Sequence, residues 1–247
     1  MKKPKLRLDE LMVERSLAES TAKAQALVMA GIVFNGEQKL TSAGAKVATD
    51  LTVTVRGAEH PWVSRGGMKL AHGLKHFGFD AAERVAIDLG SSTGGFTDVL
   101  RTVGAAKIYA VDVGYGQLAH KLRTDARVVV LERTNARALD RALIPDPLNA
   151  VVCDASFIGL RTVLPAAMAL TAPGAWMIAL IKPQFEVGKE RVPEGGVVRD
   201  PALHAEVCET ITAWMAAQPG WRVVSITQSP ITGAEGNIEF LIGAVRG

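Results

Sequence analysis

The stretch Arg84-Val-Ala-Ile-Asp88-Leu-Gly90-Ser-Ser-Thr-Gly94-Gly95-Phe96-Thr97 decides the fold. Its first part is a short apolar run closed by an acid, which reads as a buried strand over 84–88. The glycines then allow a sharp turn and a close approach to a ligand. The helix expected from Gly95 to Val103 offers unpaired N–H groups at its start. The same alternation recurs downstream. Strands are expected at 107–112, 127–131, 149–154 and 175–181, and helices at 160–170 and 201–217. Such alternation gives a mostly parallel, doubly wound α/β sheet. The last two strands, near 221–227 and 237–245, have no helix between them and should pair antiparallel at one edge.

The 247 residues, 48% hydrophobic and 21% charged, suffice for one large α/β domain with a small appendage. Two cysteines, Cys153 and Cys208, exclude a disulfide framework and a four-cysteine zinc site, and no metal-ligand cluster is visible. The opening MKKPKLRLDELM has no apolar stretch and does not read as a secretory signal. Residues 162–181 carry no charge, but Pro165, Pro173 and Gly174 interrupt them. They read as helix, turn and strand rather than a membrane span. A cytoplasmic protein without a membrane partner is expected.

Charge is unevenly placed. Residues 1–75 hold twelve Lys and Arg against seven Asp and Glu, whereas residues 76–247 hold sixteen against eighteen. A polyanion partner for the N-terminal part would explain the asymmetry, and so would a solvated basic face. Residues 7–56 read as a small unit of their own. A short helix carries Leu8, Leu11, Met12 and Leu17, and a second, capped by Ser20, is closed by Gly31. The strand Ile32–Phe34, the turn Asn35-Gly36 and the strand Leu51–Val55 follow. So small a core needs a larger neighbour. Residues 57–64 read as the linker.

Two cofactors compete for the turn at 88–97. A nicotinamide cofactor needs G-x-G-x-x-G, so that its pyrophosphate meets the helix N-terminus. The spacing here, G-x-x-x-G-G, lacks the middle glycine. S-adenosylmethionine (SAM) carries no phosphate and asks only for a loop that passes beneath it. Asp112, 24 residues after Asp88, ends the second strand where it could bind ribose hydroxyls.

Four further charges stand where soluble folds rarely place them for structure. Lys69 lies in Ser64-Arg65-Gly66-Gly67-Met68-Lys69-Leu70, on a helix before the first strand. Asp154 ends the fourth strand and Lys182 the fifth, while Glu239 interrupts the last. Ligands of open α/β sheets bind beyond the carboxyl ends of the strands, so Asp154 and Lys182 point at the cofactor's crevice.

These residues carry a resemblance. Arg7-Leu8-Asp9, Leu17-Ala18-Glu19-Ser20, Ala24 and Ala30-Gly31-Ile32-Val33-Phe34-Asn35-Gly36 resemble the S4 RNA-binding module. That module usually has Arg after the serine; Thr21 stands there instead, which leaves Arg7, Lys23 and Gln25 as the RNA-contact candidates, with Arg65 beyond the module. Lys69, Asp154, Lys182 and Glu239 resemble the Lys-Asp-Lys-Glu tetrad of the FtsJ-like ribose 2′-O-methyltransferases. With Lys182-Pro-Gln-Phe-Glu-Val-Gly188, Gly195-Gly-Val-Val-Arg-Asp200 and Gly236-Asn237-Ile-Glu239, the whole chain resembles the TlyA family. The members of that family are ribosomal RNA cytidine 2′-O-methyltransferases, also labelled hemolysins.

The resemblance implies a Rossmann-like class I methyltransferase sheet over 65–247, mostly parallel with an antiparallel last strand, and an S4 α+β domain over 1–60. It implies SAM held by Asp88, Gly90, Ser92, Thr93, Gly94, Gly95, Phe96, Asp112 and Asn135. The partners would be ribosomal RNA, 23S or also 16S, or the ribosomal subunits. The tetrad would be catalytic, with one of its two lysines as the base for the 2′-hydroxyl. Lys182 is the candidate, because its stem leaves an apolar strand that disfavours an ammonium, and Lys69 is the alternative. A non-catalytic S4-type RNA-binding protein would not need the tetrad. A membrane-active hemolysin would need an inserting segment, for which only 162–181 could serve.

Overall fold

Residues 4–15, 17–18, 20–55, 60–233 and 236–247 are described by the computed structural model. The expected linker falls outside them at 57–59, as does Glu19 of the S4-like string. The chain divides into two compact units, 1–61 and 62–247.

In the smaller unit, β1 (Lys5–Arg7) runs into α1 (Leu8–Glu14), followed by α2 (Thr21–Met29). Short strands β2 (Val33–Asn35), β3 (Gln38–Lys39), β4 (Lys46–Ala48) and β5 (Thr54–Val55) complete it. Ser20 caps α2, its hydroxyl accepting the Lys23 N–H at 3.2 Å. Leu8, Leu11, Met12, Ala24, Val28, Val33 and Val53 form the core. The strand expected from Leu51 is ordered as a ladder only at Thr54–Val55, because the Leu51 N–H turns back to the Ala48 carbonyl.

In the larger unit, α3 (Gly66–Phe77) precedes β6 (Val85–Leu89), α4 (Gly95–Thr102) and β7 (Lys107–Val111). Then come α5 (His120–Arg123), β8 (Val128–Leu131) and β9 (Leu148–Cys153). They are followed by α6 (Leu160–Val163), α7 (Pro165–Ala169), β10 (Thr171–Ile181) and α8 (Pro183–Glu186). The last elements are α9 (Pro201–Ala216), β11 (Trp221–Gln228) and β12 (Phe240–Arg246). The sheet order is β11-β12-β10-β9-β6-β7-β8. Only β12 runs against its neighbours, β10 and β11. Strands β8, β7, β6, β9 and β10 are parallel.

Strand β6 sits mid-sheet because both of its faces are apolar or screened. Ile87 and Leu89 join one core layer, where Val163, Ala167, Val207, Ile211 and Met215 cover the sheet. Ala86 joins the other, beneath Leu70 and Leu74 of α3 and Phe96, Val99 and Leu100 of α4. Parallel strands covered by helices on both sides need such continuous apolar runs.

Two expectations are corrected here. The helix expected over 160–170 is two short helices, since Pro165 cannot continue the first and instead opens the second. Strand β10 begins at Thr171, not at 175. Pro173-Gly174 is a bulge inside it, with Gly174 at φ +77° and the register shifting between Thr171 and Trp176. Among the described residues, no helix is long and apolar enough to cross a membrane.

Helix α3 is held to the sheet through a close contact. A Cβ on Gly243 of β12 would stand 2.6 Å from the Phe77 ring. Gly243→Ala should therefore force the ring and the end of α3 to shift, costing roughly 1–3 kcal/mol. Urea denaturation of the variant beside the wild type measures it.

Candidate active site

The site grows from two glycine pairs that touch. A Cβ on Gly95, which opens α4, would stand 2.9 Å from the Gly67 nitrogen and 3.2 Å from the Gly66 Cα. Any larger residue would push the start of α3 away from α4, and with it Lys69, one turn further along. Gly90 makes a second close approach. Its φ is +80°, and a Cβ there would lie 2.8 Å from the Ala155 Cα, so the turn after β6 passes directly against the loop after β9.

Into this framework project the four charges. Lys69 Nζ donates to Glu239 Oε2 at 2.5 Å and lies 3.6 Å from Asp154 Oδ2. Lys182 Nζ lies 2.6 Å from Asp154 Oδ1, and it donates to Ser156 Oγ at 3.0 Å and to the Asp154 carbonyl at 3.2 Å. The result is one chain of alternating charge, Glu239–Lys69–Asp154–Lys182. Lys69, Lys182 and Glu239 are 7%, 6% and 2% exposed. Glu239 lies just before β12 rather than interrupting it, and its backbone carbonyl accepts the Ser229 N–H at 2.8 Å. Gly233 leaves room for its carboxylate, which a side chain at 233 would strike. Asn237 ties the same loop to residues 196–198 through the Gly196 carbonyl and the Val198 N–H. The head group of Lys182 therefore meets a carboxylate, a hydroxyl and a carbonyl, not the apolar surroundings inferred from β10.

Two adjoining cavities open at this end of the sheet. One, of about 500 Å³, is lined by the tetrad together with Arg65, Thr93, Gly95, Phe96, Ser156, Phe157 and Gln184. The other, of about 350 Å³, is lined by Asp112, Asn135, Val111, Val113, Ala136 and Ile158. Gly90, Ser92, Asp154, Ser156 and Phe157 border both. Asp112 braces the glycine turn by accepting the Ser92 N–H at 2.7 Å on one oxygen and the Gly114 N–H at 2.6 Å on the other. Each oxygen keeps a lone pair for a hydroxyl in the cavity. Asn135 spends its side-chain oxygen on the Arg137 N–H. Gly94 lines neither cavity; at φ +97° it turns the chain into α4, against Leu118 and Leu122.

Asp88 is also absent from both linings. It is fully buried beneath the turn, accepts the Thr97 hydroxyl at 2.6 Å on Oδ2, and has no partner on Oδ1. Burial raises its carboxyl to about 7, with the Thr97 hydroxyl pulling the other way. Burial likewise pushes the Cys153 thiol up to about 12, which makes it inert.

The expected RNA contacts divide. Arg7 binds Asp9 through Nε at 3.0 Å and a terminal nitrogen at 2.7 Å, and Gln25 Nε2 donates to the same carboxylate at 2.8 Å. These two side chains clasp a buried acid, which the Arg7 guanidinium pulls down to about 2. Lys23 is exposed on α2. Arg65, also exposed, donates to the Thr232 carbonyl at 3.0 Å. Ser156 and Gln184 were missed by sequence reasoning. Each stands two residues from a tetrad member, Ser156 after Asp154 and Gln184 after Lys182, which was the available signal. The fold adds that both line the cavity and that Ser156 accepts from Lys182.

Comparison with known proteins adds the family. The FtsJ-like methyltransferase family matches residues 62–246. This chain belongs to it. TlyA of Mycobacterium tuberculosis, a 16S/23S rRNA (cytidine-2′-O)-methyltransferase, is 46% identical over 96% of this FtsJ-like chain and 88% of its own length. Bacillus subtilis YqxC is 49% identical over 98% of this chain and 86% of its own. A solved Streptococcus thermophilus structure, described as a hemolysin, superposes with a TM-score of 0.76 at 39% identity, covering 99% of this chain and 90% of that one.

The raised carboxyl of Asp88 has a sign that can be tested. Its folded value of about 7 exceeds the ordinary 3.8, so the fold favours the protonated form. Stability linked to Asp88 is complete below pH 3.8 and is lost as pH climbs through about 7. Asp88→Asn, which cannot ionise, should flatten that part of the profile. Melting temperatures collected from pH 4 to 8 check this.

Proposed function

We propose that this FtsJ-like protein transfers a methyl group from SAM to the ribose 2′-hydroxyl of cytidine in ribosomal RNA. The observation that carries the reading is the buried chain Glu239–Lys69–Asp154–Lys182, set beside the glycine turn at the carboxyl end of the sheet. The curated activity of the Mycobacterium tuberculosis relative supports the substrate. 23S RNA is the primary target in this reading and 16S RNA the second, met in the ribosomal subunits, which implies a cytoplasmic protein.

The residues present suit SAM. The 350 Å³ cavity has apolar walls for an adenine and a carboxylate, Asp112, for ribose hydroxyls. At Gly90, a side chain would fill the gap between the turn and the Ala155 backbone. When bound, SAM supplies an electrophilic methyl group on a sulfonium, so the protein need not activate the donor.

The chain's own work is on the acceptor. A ribose hydroxyl is almost un-ionised at neutral pH, and its proton must leave as the oxygen attacks. Lys182 receives it as the neutral amine, after releasing one of its own ammonium protons to water in the cavity before the RNA seats, and Asp154 and Ser156 hold it at the cavity wall. Glu239 fixes Lys69, and Lys69 in turn steadies the far oxygen of Asp154. The requirement for a 2′-hydroxyl makes RNA the polymer. Residues 1–60, as an S4-like domain, supply RNA affinity through Lys23 and neighbouring cations, and Arg65 is a separate RNA contact on the catalytic domain, residues 65–247. Arg7 and Gln25 shape the RNA-facing surface by holding Asp9.

Mapping ribose methylation in ribosomal RNA from cells with and without the gene tests the reading. A cytidine site should vanish in its absence and return with the wild-type gene. Lys182→Ala should lower turnover at least about a hundredfold, as expected for lost acid–base help, with SAM affinity little changed by calorimetry. Lys182→Arg should not rescue it, because a guanidinium keeps its proton.

A further inference from the structure

Helix α6 opens at Gly159, which has no side chain to offer a capping oxygen. The acceptor comes from a different loop: Glu186 Oε1 takes the Leu160 N–H at 2.7 Å. The loop after β9 carries Asp154, Ser156 and Phe157 to the 500 Å³ cavity, and the loop after β10 carries Lys182 and Gln184 to it. On the cavity side the two loops meet through Lys182 and through the Phe157 and Phe185 rings, 5.2 Å apart. On the far side they meet through Glu186.

That second junction is tightly fitted. A Cβ on Gly159 would stand 3.0 Å from Glu186 Oε2 and 3.4 Å from the Phe185 carbonyl. Gly159 has φ −76° and ψ 152°, a conformation open to any residue, so the approach of Glu186 and not backbone strain calls for glycine there. Burial holds the Glu186 carboxyl above the usual glutamate range, against the pull of the Leu160 N–H. Glu186 does not line the 500 Å³ cavity; it faces a separate one of about 200 Å³ beside Arg191 and Glu206.

We infer that Glu186 is a positioning residue for methyl transfer: with Gly159 it sets the spacing between the loop of Asp154 and Ser156 and the loop of Lys182. The inference rests on the transferase reading above. Lys182 needs Asp154 Oδ1 at 2.6 Å and Ser156 Oγ at 3.0 Å simultaneously, and both of these belong to the other loop. A shift of about 1 Å in such a pairing can cost about a hundredfold in rate.

The test uses the full-length protein, SAM and ribosomal RNA, with wild-type turnover as the first reading. No wild-type methylation would sink the transferase reading itself and leave nothing for Glu186 to position. With an active wild type, Glu186→Ala should lower kcat about tenfold to a hundredfold, with the KM for RNA and the affinity for SAM within about twofold. Exchange of the Leu160 amide should quicken. Glu186→Gln keeps an acceptor oxygen and should restore most of kcat. Gly159→Ala should reproduce the kcat loss. In the double variant, Gly159→Ala with Glu186→Ala, the two losses should fall short of multiplying, because the truncated side chain makes room for the new methyl group. Should Glu186→Ala not fold, Gly159→Ala and Glu186→Gln still decide. Wild-type kcat in Glu186→Ala or in Gly159→Ala would overturn the inference. So would loss of SAM affinity in step with kcat, or losses that multiply fully in the double variant.

Discussion

The structure depends on a line of four charges buried at one end of a sheet. Three of them, Lys69, Lys182 and Glu239, are almost without solvent, so each must find its neutralising partner inside the protein. Asp154 serves both lysines, one on each carboxylate oxygen. Such an arrangement is a poor way to gain stability, since desolvating the charges offsets most of their attraction. Removing one member costs more, about 3–5 kcal/mol for a broken buried pair. That asymmetry suits a reaction: it leaves at the wall of the cavity a cluster whose geometry is enforced by the cost of disturbing it.

The rest of the larger unit brings these four side chains together from distant positions in the chain. Lys69 arrives on α3, which reaches the site because Gly66 and Gly67 let it touch Gly95 at the head of α4. Asp154 and Lys182 leave parallel neighbours, β9 and β10. Glu239 comes from the opposite direction, just ahead of β12, the one strand that runs against the others. An antiparallel strand beside β10 is the topological device that carries a residue from the chain's end back to the carboxyl edge of the sheet. Fold and site are therefore one argument in this FtsJ-like protein.

Much of this was legible in the sequence because it rests on local pattern. Apolar runs at 107–111 and 148–153 mark strands buried on both faces, and Gly90 and Gly94 mark the turn after the first strand. Charges at strand ends pointed to a single crevice. What stayed hidden depends on contacts distant in sequence. Asp88 looked like a cofactor ligand because it precedes the glycine turn, yet strand alternation points it inward to Thr97. Arg7 and Gln25 looked free for RNA, but Asp9 lies between them. Pro173-Gly174 carried a turn signature, and neighbouring strands absorbed it as a bulge. The polar setting of Lys182 comes from Ser156 and Asp154, 26 and 28 residues away.

The central claim is that this cluster removes a proton from a ribose 2′-hydroxyl. Incubating the purified protein with SAM labelled in its methyl group and ribosomal RNA, then digesting the RNA with alkali, tests it most directly. A 2′-O-methyl group blocks cleavage of the adjacent phosphodiester, so the label should appear in alkali-resistant dinucleotides beginning with cytidine. An oligonucleotide of the same sequence with 2′-deoxycytidine at the target should accept none. Label recovered in mononucleotides, or transferred equally to the deoxy substrate, would place the methyl group on a base and contradict the account.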